Sequence, residues 1–341
     1  MAAFVETEAG PGSPRRIPGI PAGQRTRLRA ARIAVVGGGE PHRPVVWPTI
    51  ERIVDTLISR GYKAELVDAE QPGFVTRIQD YDLAYVAHFG TTSDKGSLQG
   101  LLAELEIPYT GSGCLAMQIA RNKVVSKQLF RQAGLLTPDF VEVDLDGHLA
   151  QQAADALARL GGALMVKPVY TDGSYGLALA STVEEVLAGI EDATKFGPLF
   201  LEKFVQGKTL TAGVVGTGHA AIGLPAHEVR FIDDKPFLDP VSLFTPGTSE
   251  TVIPPRVAPE IALAVEEAAR RAHAAIGAWG MSRCDFKVDA DGGPWLLEIN
   301  TLPAMSARSD LPIAGERAGL SYADLVETIL ASALDRPEYT P

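Results

Sequence analysis

Apolar runs and amphipathic segments alternate through the first third of the chain. Residues 32–36, 63–67 and 83–87 form short apolar runs of the kind that buried parallel strands show, and residues 49–60 carry apolar side chains at helical spacing. A strand, a glycine turn, a helix and a second strand make a βαβ unit. The pattern therefore predicts an α/β fold that begins with a parallel sheet.

Glycines at 37–39 follow the first predicted strand. The G-x-G-x-x-G spacing of a dinucleotide site is not met, so we expect a tight turn that lets a substrate approach the backbone. His88 follows the third strand, at the sheet edge where open α/β folds bind ligands. This histidine is therefore a candidate substrate contact, although a single histidine at a strand end is structural at least as often.

The middle of the chain contains a lysine beside a glycine-bearing turn. Residues 164–168 form a buried strand that includes Lys167, and the turn at 171–176 contains Ser174. Such a turn can cover a triphosphate with backbone N–H groups and a hydroxyl, although Asp-Gly-Ser is also an everyday turn. The next strand, 198–205, ends in polar residues and can offer backbone groups to an adenine edge.

Alternating polar and apolar residues at 283–300 predict a β-hairpin with its turn at 289–293. Side chains directly across an antiparallel pair share a face. A register that pairs Asp285 with Glu298 also pairs Arg283 with Asn300. The other face is then apolar and is formed by Cys284, Phe286, Trp295, Leu297 and Ile299.

Two facing carboxylates about 5 Å apart repel by roughly 3 kcal/mol at an effective dielectric near 20, so the arrangement favours a cation between them. Carboxylate and amide oxygens suit a hard ion such as Mg²⁺. An exposed acidic hairpin with a solvated polar face fits the same alternation. Periodicity alone does not decide between the two.

Composition narrows the classes of partner. The chain has 341 residues, enough for two or three domains, and its net charge of −11 disfavours nucleic acid and anionic membranes. No apolar run is long enough to span a bilayer. The two cysteines, Cys114 and Cys284, provide no disulfide framework and suit a reducing cytoplasm. Residues 1–30 lack periodicity and are rich in Pro, Gly and Arg, so we expect a disordered arm.

Four motifs together resemble those of the ATP-grasp ligases. They are Pro108-Tyr-Thr-Gly-Ser-Gly113, Val166-Lys167-Pro168, Glu202-Lys203-Phe204 and Leu297-Glu298-Ile299-Asn300-Thr301. Within that superfamily the chain is most similar to the D-alanine–D-alanine ligases, from about residue 32 to residue 333. The resemblance implies a three-domain ATP-grasp fold with a Rossmann-like first domain. We place the domains at 31–122 (N-terminal α/β), 123–208 (central) and 209–335 (C-terminal, with the metal site).

The resemblance also implies an acylphosphate mechanism with amino-acid substrates. ATP and Mg²⁺ are the implied cofactors, with two ions bridged by Glu298 and Mn²⁺ as an alternative metal, and the implied assembly is a homodimer. By position, the implied metal ligands are Asp285, Glu298 and Asn300; the ATP contacts are Lys123, Lys167, Ser174, Glu202, Lys203, Val205 and Leu297; the catalytic residues are Arg283 and Lys167; and the substrate contacts are His42, His88 and Ser309.

The chain departs from the family pattern where amino acids bind. His42 occupies the place of a glutamate that binds the first substrate's amino group, Leu243 and Phe244 replace a lysine and a tyrosine of the mobile loop, and Thr209 replaces a ribose-binding glutamate. A histidine cannot replace a carboxylate as an ammonium partner. We therefore expect a ligase with altered substrates. The alternatives are a true D-alanine–D-alanine ligase of peptidoglycan synthesis and a catalytically inactive nucleotide-binding protein.

Overall fold

The computed structural model describes residues 3–6, 19–38, 46–89, 95–232 and 247–336, which form three β-sheets flanked by helices. In chain order the strands are β1 (Ala3–Glu6), β2 (Arg32–Gly37), β3 (Lys63–Asp68), β4 (Leu83–Val86), β5 (Phe140–Glu142), β6 (Leu164–Pro168), β7 (Ala178–Ala180), β8 (Leu199–Lys203), β9 (Lys208–Thr217), β10 (Ile222–Gly223), β11 (His227–Phe231), β12 (Ser249–Ile253), β13 (Trp279–Val288) and β14 (Pro294–Asn300). The α-helices are α1 (Ala22–Ala30), α2 (Val46–Ser59), α3 (Phe74–Ile78), α4 (Ser97–Glu104), α5 (Cys114–Arg121), α6 (Lys123–Gln132), α7 (Leu149–Leu160), α8 (Val183–Ala193), α9 (Pro259–Ala275), α10 (Asp310–Arg317) and α11 (Tyr322–Ala331).

The first sheet is parallel and has the strand order β3-β2-β4. This arrangement confirms the predicted βαβ unit. The apolar stripe of α2, formed by Ile50, Ile53 and Leu57, is fully buried in the core that also contains the strand residues Val35 and Val36. The apolar positions that predicted the helix are therefore the positions at which it contacts the core.

The second sheet is antiparallel, with the order β5-β8-β6-β7. Helices α7 and α8 share a core with it, in which Ala156 and Ile190 are buried together with Val166 and Leu201. Helix α8 begins at a capping box, in which Thr182 and Glu185 each accept from the other's backbone N–H. This sheet places Lys167 at the end of β6, beside β8.

The third sheet has the order β1-β12-β11-β9-β13-β14, and β10 pairs with β9 outside this path. Helix α9 covers one face, where Val265 and Ala269 share a core with Leu210, Cys284 and Phe286. The residues that alternate with these on β9 and β13 lie on the opposite face, which α10 and α11 cover in part. The predicted site residues of the hairpin lie on that second face.

A β-bulge interrupts the hairpin between Asp285 and Phe286. The predicted pairing holds from Arg283 to Asp285, but after the bulge Phe286 pairs with Leu296. The prediction that Trp295 and Leu297 lie on the apolar face is therefore wrong: Leu296 is fully buried, and both of its neighbours are half-buried. The extra residue moves Leu296 onto the face that α9 covers.

The prediction of a disordered arm over residues 1–30 is wrong for part of that segment. Residues 22–30 form helix α1, whose Leu28 is fully buried, and Ala3–Glu6 pairs with β12 as a parallel strand. Gln24 donates to Asp335, and Arg25 forms an ion pair with Glu327 of α11. Because Leu28 is the one apolar anchor of an otherwise polar helix, the sequence shows no amphipathic period there.

The helices of the described ranges are short. The longest of them, α9, has 17 residues and spans about 25 Å at 1.5 Å per residue. None of the described helices combines the length and the apolar character that crossing a bilayer needs.

We propose domain boundaries near residues 123 and 208. The second sheet lies between these two positions, and the first and third sheets are built mainly from the residues on either side.

Candidate active site

Four polar side chains form one row across the third sheet. His227 pairs with Thr211, Thr211 with Asp285, and Asp285 with Glu298, on the adjacent strands β11, β9, β13 and β14. Directly paired residues share a face, so the row lies on the side opposite α9. Thr211 Oγ1 donates to Asp285 Oδ1 at 2.8 Å. The predicted pairing of Asp285 with Glu298 is confirmed.

Arg283 and Asn300 form the next pair on this face. Arg283 donates from Nε and Nη2 to the two oxygens of Asp285, at 3.1 and 2.9 Å. Burial alone would lower the pKa of Arg283, but the carboxylates of Asp285 and Asp310 raise it. Asn300 Oδ1 accepts from the backbone N–H of Leu302 at 2.8 Å. The guanidinium is therefore fixed and charged beside the carboxylate row.

The donor set of the predicted metal site consists of two carboxylates and one amide. No group of three or more His, Cys, Asp or Glu side chains able to hold a metal occurs in the described ranges. Burial raises the pKa of Asp285, and the nearby charges of Glu298 and Asp310 add to this effect. A carboxylate offers about four lone-pair positions, and Arg283 and Thr211 use three of those on Asp285. One position remains, so the oxygens present fit a hard divalent cation such as Mg²⁺.

Lys123 links the glycine-bearing turn to the hairpin. Its Nζ donates to the carbonyl of Thr171 at 2.6 Å and lies 3.3 Å from Glu298 Oε2 and 3.8 Å from Asp172 Oδ1. Burial would lower the pKa of Lys123, but the charges of Glu298 and Asp172 raise it. Burial likewise would raise the pKa of Glu298, whereas Lys123 and Lys167 lower it. These contacts favour the charged forms of both groups, and the phosphate-binding role of Lys123 stays a prediction.

Lys167 is held by a buried ion-pair network. Its Nζ lies 2.5 Å from Glu202 Oε2, and Lys127 Nζ lies 2.6 Å from Glu202 Oε1. Lys127 also donates to Thr137 Oγ1 at 2.5 Å, and that hydroxyl donates to the carbonyl of Leu296 at 2.7 Å. The carboxylate of Glu202 is thus occupied by two lysines, and its backbone lies in the sheet between Phe140 of β5 and Met165 of β6.

Lys127 was not predicted from the sequence. It is fully buried, and burial lowers its pKa to about 8, although the charge of Glu202 opposes this effect. The available signal is its spacing: Lys127 follows Lys123 by one helical turn on the buried face of α6, where an unpaired lysine would be unfavourable.

The remaining predicted ATP contacts lie in the turn after β6, at and after the end of β8, and in β14. Ser174 has a positive φ of 63° at the tip of its turn, and Lys203 Nζ lies 5.8 Å from the centre of the Trp295 ring. Val205 is buried after β8, and Leu297 is the half-buried bulged residue. Of these residues, Lys203 makes a contact from the second sheet to Trp295 of the third sheet.

A cavity of about 370 Å³ lies beside the segment that follows β8. Phe204, Lys208, Thr209 and Lys287 are among the residues that line it. Lys287 Nζ donates to Thr209 Oγ1 at 2.9 Å, and burial, together with the charge of Lys167, lowers the pKa of Lys287 to about 8. Thr209, which replaces the expected glutamate, therefore interacts with a buried lysine.

Two of the predicted substrate contacts, His88 and Ser309, lie among the described residues, on different elements. His88 is half-buried beyond the end of β4, and a Cβ added at Gly38 would lie 2.2 Å from its ring. The close approach at the glycine turn is therefore made by His88, where we expected a substrate. Ser309 precedes α10, and its Oγ lies 2.7 Å from Ser306 Oγ. His42, Leu243 and Phe244 lie outside the described residues.

Comparison with known proteins finds relatives along most of the chain. Residues 129–331 match the family model described as the D-ala D-ala ligase C-terminus. The D-alanine–D-alanine ligase of Carboxydothermus hydrogenoformans is 32% identical over 310 residues, covering 89% of this chain and 98% of that protein. The chain belongs to the D-alanine–D-alanine ligase family. The enzyme of that name from Desulforudis audaxviator is 36% identical over 309 residues, with coverage of 89% and 99%.

Solved structures of this ligase family share the fold. The D-alanine–D-alanine ligase of Bacillus anthracis, complexed with ATP, superposes with a TM-score of 0.75 at 28% identity and covers 89% of this chain and 97% of its own. The VanG D-Ala:D-Ser ligase of Enterococcus faecalis has a TM-score of 0.75 at 20% identity, with coverage of 88% and 98%, which shows the fold alone. The predicted ATP-grasp fold is confirmed, and the chain is an ATP-dependent ligase.

Proposed function

We propose that this ligase joins an amino acid's carboxylate to the amine of a second amino acid, or of a related amine, through an acylphosphate. The observation that carries this proposal is the ordered arrangement of Asp285 and Glu298 on one sheet face with Lys123 against Glu298 and Lys167 tethered nearby. Phosphoryl transfer depends mainly on positioning and on neutralising phosphate charge. Two lysines beside two facing carboxylates supply both.

In this mechanism Lys123 and Lys167 bind the phosphates of ATP. Asp285, Glu298 and Asn300 would hold Mg²⁺, which when bound neutralises phosphate charge. The first substrate's carboxylate oxygen attacks the γ-phosphorus, the bond to the bridging oxygen breaks, and ADP leaves with that electron pair. The acid is then activated as an acylphosphate.

Arg283 stabilises the second step. The acceptor's nitrogen forms a bond to the acyl carbon, negative charge develops on the carbonyl oxygen, and the carbon–oxygen bond to phosphate then breaks. Phosphate departs with the electron pair, and the amine's surplus proton passes to water. A guanidinium kept charged by two neighbouring carboxylates suits this oxyanion. Ser309, beside the same face, is our proposed contact for the second substrate's carboxylate.

Two substrate assignments compete within this function. Altered substrates are supported by His42 in place of an ammonium-binding glutamate and by Leu243 and Phe244 in the mobile loop. A true D-alanine–D-alanine ligase is supported by identities of 32% and 36% to enzymes of that name over nearly their whole length. We favour altered substrates, because a histidine cannot accept the hydrogen bonds of an ammonium group as a carboxylate does.

Phosphate release from ATP and Mg²⁺ over a panel of D- and L-amino-acid pairs tests the proposal. We expect turnover that needs both a carboxylate donor and an amine acceptor, with an amide product confirmed by its mass. Strong turnover with D-alanine alone would select the true D-alanine–D-alanine ligase. The absence of turnover with every pair would contradict ligation.

We also propose a cytoplasmic homodimer that uses two metal ions. Light scattering of the purified chain measures the oligomeric state, and titration of ADP-bound protein with Mn²⁺ measures the number of bound metal ions. A monomer at all concentrations, or a single bound Mn²⁺, would contradict the respective proposal.

A further inference from the structure

A buried histidine and a partly exposed aspartate form a pair at one end of the polar row. His227 has a fully buried side chain, and its Nε2 lies 2.9 Å from Oδ1 of Asp310, the first residue of α10. An ionised carboxylate only accepts, so Nε2 is the donor. Nδ1 of His227 is buried and has no hydrogen-bond partner among the described residues.

The unpaired Nδ1 of His227 is unfavourable for the stability of β11. A buried polar atom without a partner is unfavourable, and an apolar side chain at this position of β11 would avoid that cost. What the ring does provide is a fixed position for one oxygen of Asp310, whose side chain remains 33% exposed. The histidine therefore holds a carboxylate at the edge of the site.

Asp310 also lies beside the guanidinium that we place at the reacting carbonyl. Its Oδ2 is 3.8 Å from Arg283 Nη1, beyond hydrogen-bond distance, while Nε and Nη2 of Arg283 donate to Asp285. The Nη1 end of Arg283 and the exposed part of Asp310 thus border the same space.

The sheet register places Asp310 on the side of Arg283 away from the phosphate-binding groups. Glu298 and Lys123 lie at the β14 end of the row, and His227 lies at the β11 end, three strand spacings or about 14 Å away. An acceptor that attacks the acyl carbon comes from the side that the nucleotide does not occupy. Asp310 faces that approach.

Charge supports a donor group as the partner of Asp310. Arg283 donates its hydrogen bonds to Asp285 and approaches Asp310 Oδ2 only to 3.8 Å, so that oxygen of Asp310 has no hydrogen bond from the guanidinium. Burial would raise the pKa of Asp310, but the hydrogen bond and charge of His227, and Arg283, lower it to about 2. The carboxylate stays ionised and is a weak proton acceptor, which suits binding of a cation or a hydrogen-bond donor.

We propose that Asp310, positioned by His227, binds a hydrogen-bond-donating group of the second substrate and thereby selects the acceptor. This inference rests on the proposed ligation. The donating group is either the attacking amine or a polar group on the acceptor's side chain, and both offer N–H or O–H to the same carboxylate. Asp310 contacts the substrate in this account, and His227 is a positioning residue.

The test separates the two half-reactions. Scrambling of ¹⁸O between the bridging and non-bridging positions of ATP, with the first substrate alone, reports acylphosphate formation without an acceptor. Product formation at varied acceptor concentration reports the second step. We expect Asp310→Asn to scramble isotope at the wild-type rate while its KM for the acceptor rises about tenfold or more, a change of about 1.4 kcal/mol.

Matched variants give the comparison. Glu316→Gln removes an exposed carboxylate from the same helix and should leave both steps unchanged. His227→Leu should raise the acceptor KM as Asp310→Asn does, and His227→Gln, which keeps an N–H donor, should recover part of the loss. If the KM rises equally for all acceptors, the contact is with the amine. If it rises only for acceptors with polar side chains, the contact is with the side chain.

An unchanged acceptor KM in Asp310→Asn would overturn the inference, as would an equal loss of isotope scrambling and product formation. If the wild type joins no pair, the proposed function fails separately. Calorimetric titration of glycine, D-alanine, D-serine and D-lysine into ADP-bound wild type and Asp310→Asn then decides the inference: equal affinities overturn it, and weaker binding to the variant supports it. Should His227→Leu fail to fold, His227→Gln and Asp310→Asn carry the test.

Discussion

At the scale of single residues, the site is built from charges that hold one another in place. Glu202 lies between Lys127 and Lys167 in a buried cluster, and Arg283 lies between Asp285 and Asp310. Removing one member of a buried pair leaves a desolvated charge, whereas replacing both members by apolar groups is often neutral. The cluster therefore predicts non-additive mutant effects.

Lys127→Met should lower the free energy of unfolding by about 3–5 kcal/mol, because it removes one partner of the buried Glu202 carboxylate. The double variant Lys127→Met/Glu202→Leu should recover part of this stability. The KM of the double variant for ATP should exceed that of the wild type, since Lys167 loses its partner Glu202. Urea unfolding and initial rates measure the two effects, and additive losses of stability would contradict the network. Lys195→Met, at an exposed position, is the control.

His273 makes stability depend on mildly acidic pH. The side chain is fully buried, and burial lowers its pKa from 6.5 to about 4. The unfolded chain therefore binds this proton first, so stability falls as the pH drops from 6.5 towards 4 and levels off below that.

Between about pH 7 and about pH 5 the wild type should lose about 2 kcal/mol more than His273→Gln, which cannot titrate there. Urea unfolding at the two pH values measures the difference. Glutamine can still accept from the Ser282 hydroxyl that contacts His273. Parallel losses in the two proteins would show that the histidine is not the group responsible.

At the scale of elements, the hairpin register decides which side chains face the nucleotide. Pairing over Arg283–Asp285 was predictable because polar and apolar residues alternate on both strands. The bulge was not, since Leu296 and Leu297 are both leucine and no pattern tells which one the core accepts. Helix α1 was missed because it buries only Leu28, and the His227–Asp310 pair joins residues 83 positions apart.

Leu296→Ala and Leu297→Ala test the bulge as a matched pair. Leu296 is fully buried, so its truncation should cost about 2–5 kcal/mol of stability. Leu297 is half-buried on the proposed nucleotide side, and its truncation should cost about 1 kcal/mol or less while raising the KM for ATP. Equal destabilisation by the two substitutions would contradict the register, and urea unfolding measures it.

At the scale of the whole molecule, the proposed nucleotide site lies between the second sheet, which carries Lys167 and Glu202, and the third, which carries Asp285 and Glu298. Lys123 Nζ contacts Thr171 and Glu298 and so connects the two. A ligand that binds between the two sheets, and only to the folded protein, stabilises the fold against unfolding by mass action.

ADP with Mg²⁺ should therefore raise the free energy of unfolding by about 2.7 kcal/mol at a concentration of about 100 times Kd. Chelating the metal should remove most of this gain, and Glu298→Gln should abolish the dependence on metal. Thermal unfolding with and without chelator measures the effect. A gain that is the same without metal would contradict a metal site on the hairpin.

A crystal structure with an ATP analogue and Mn²⁺ tests the central claim most directly, because the anomalous signal of Mn²⁺ locates the metal independently of the protein. We expect Mn²⁺ bonded to oxygens of Asp285 and Glu298, with the phosphates contacted by Lys123 and Lys167. Metal and phosphates found away from these four residues would contradict it.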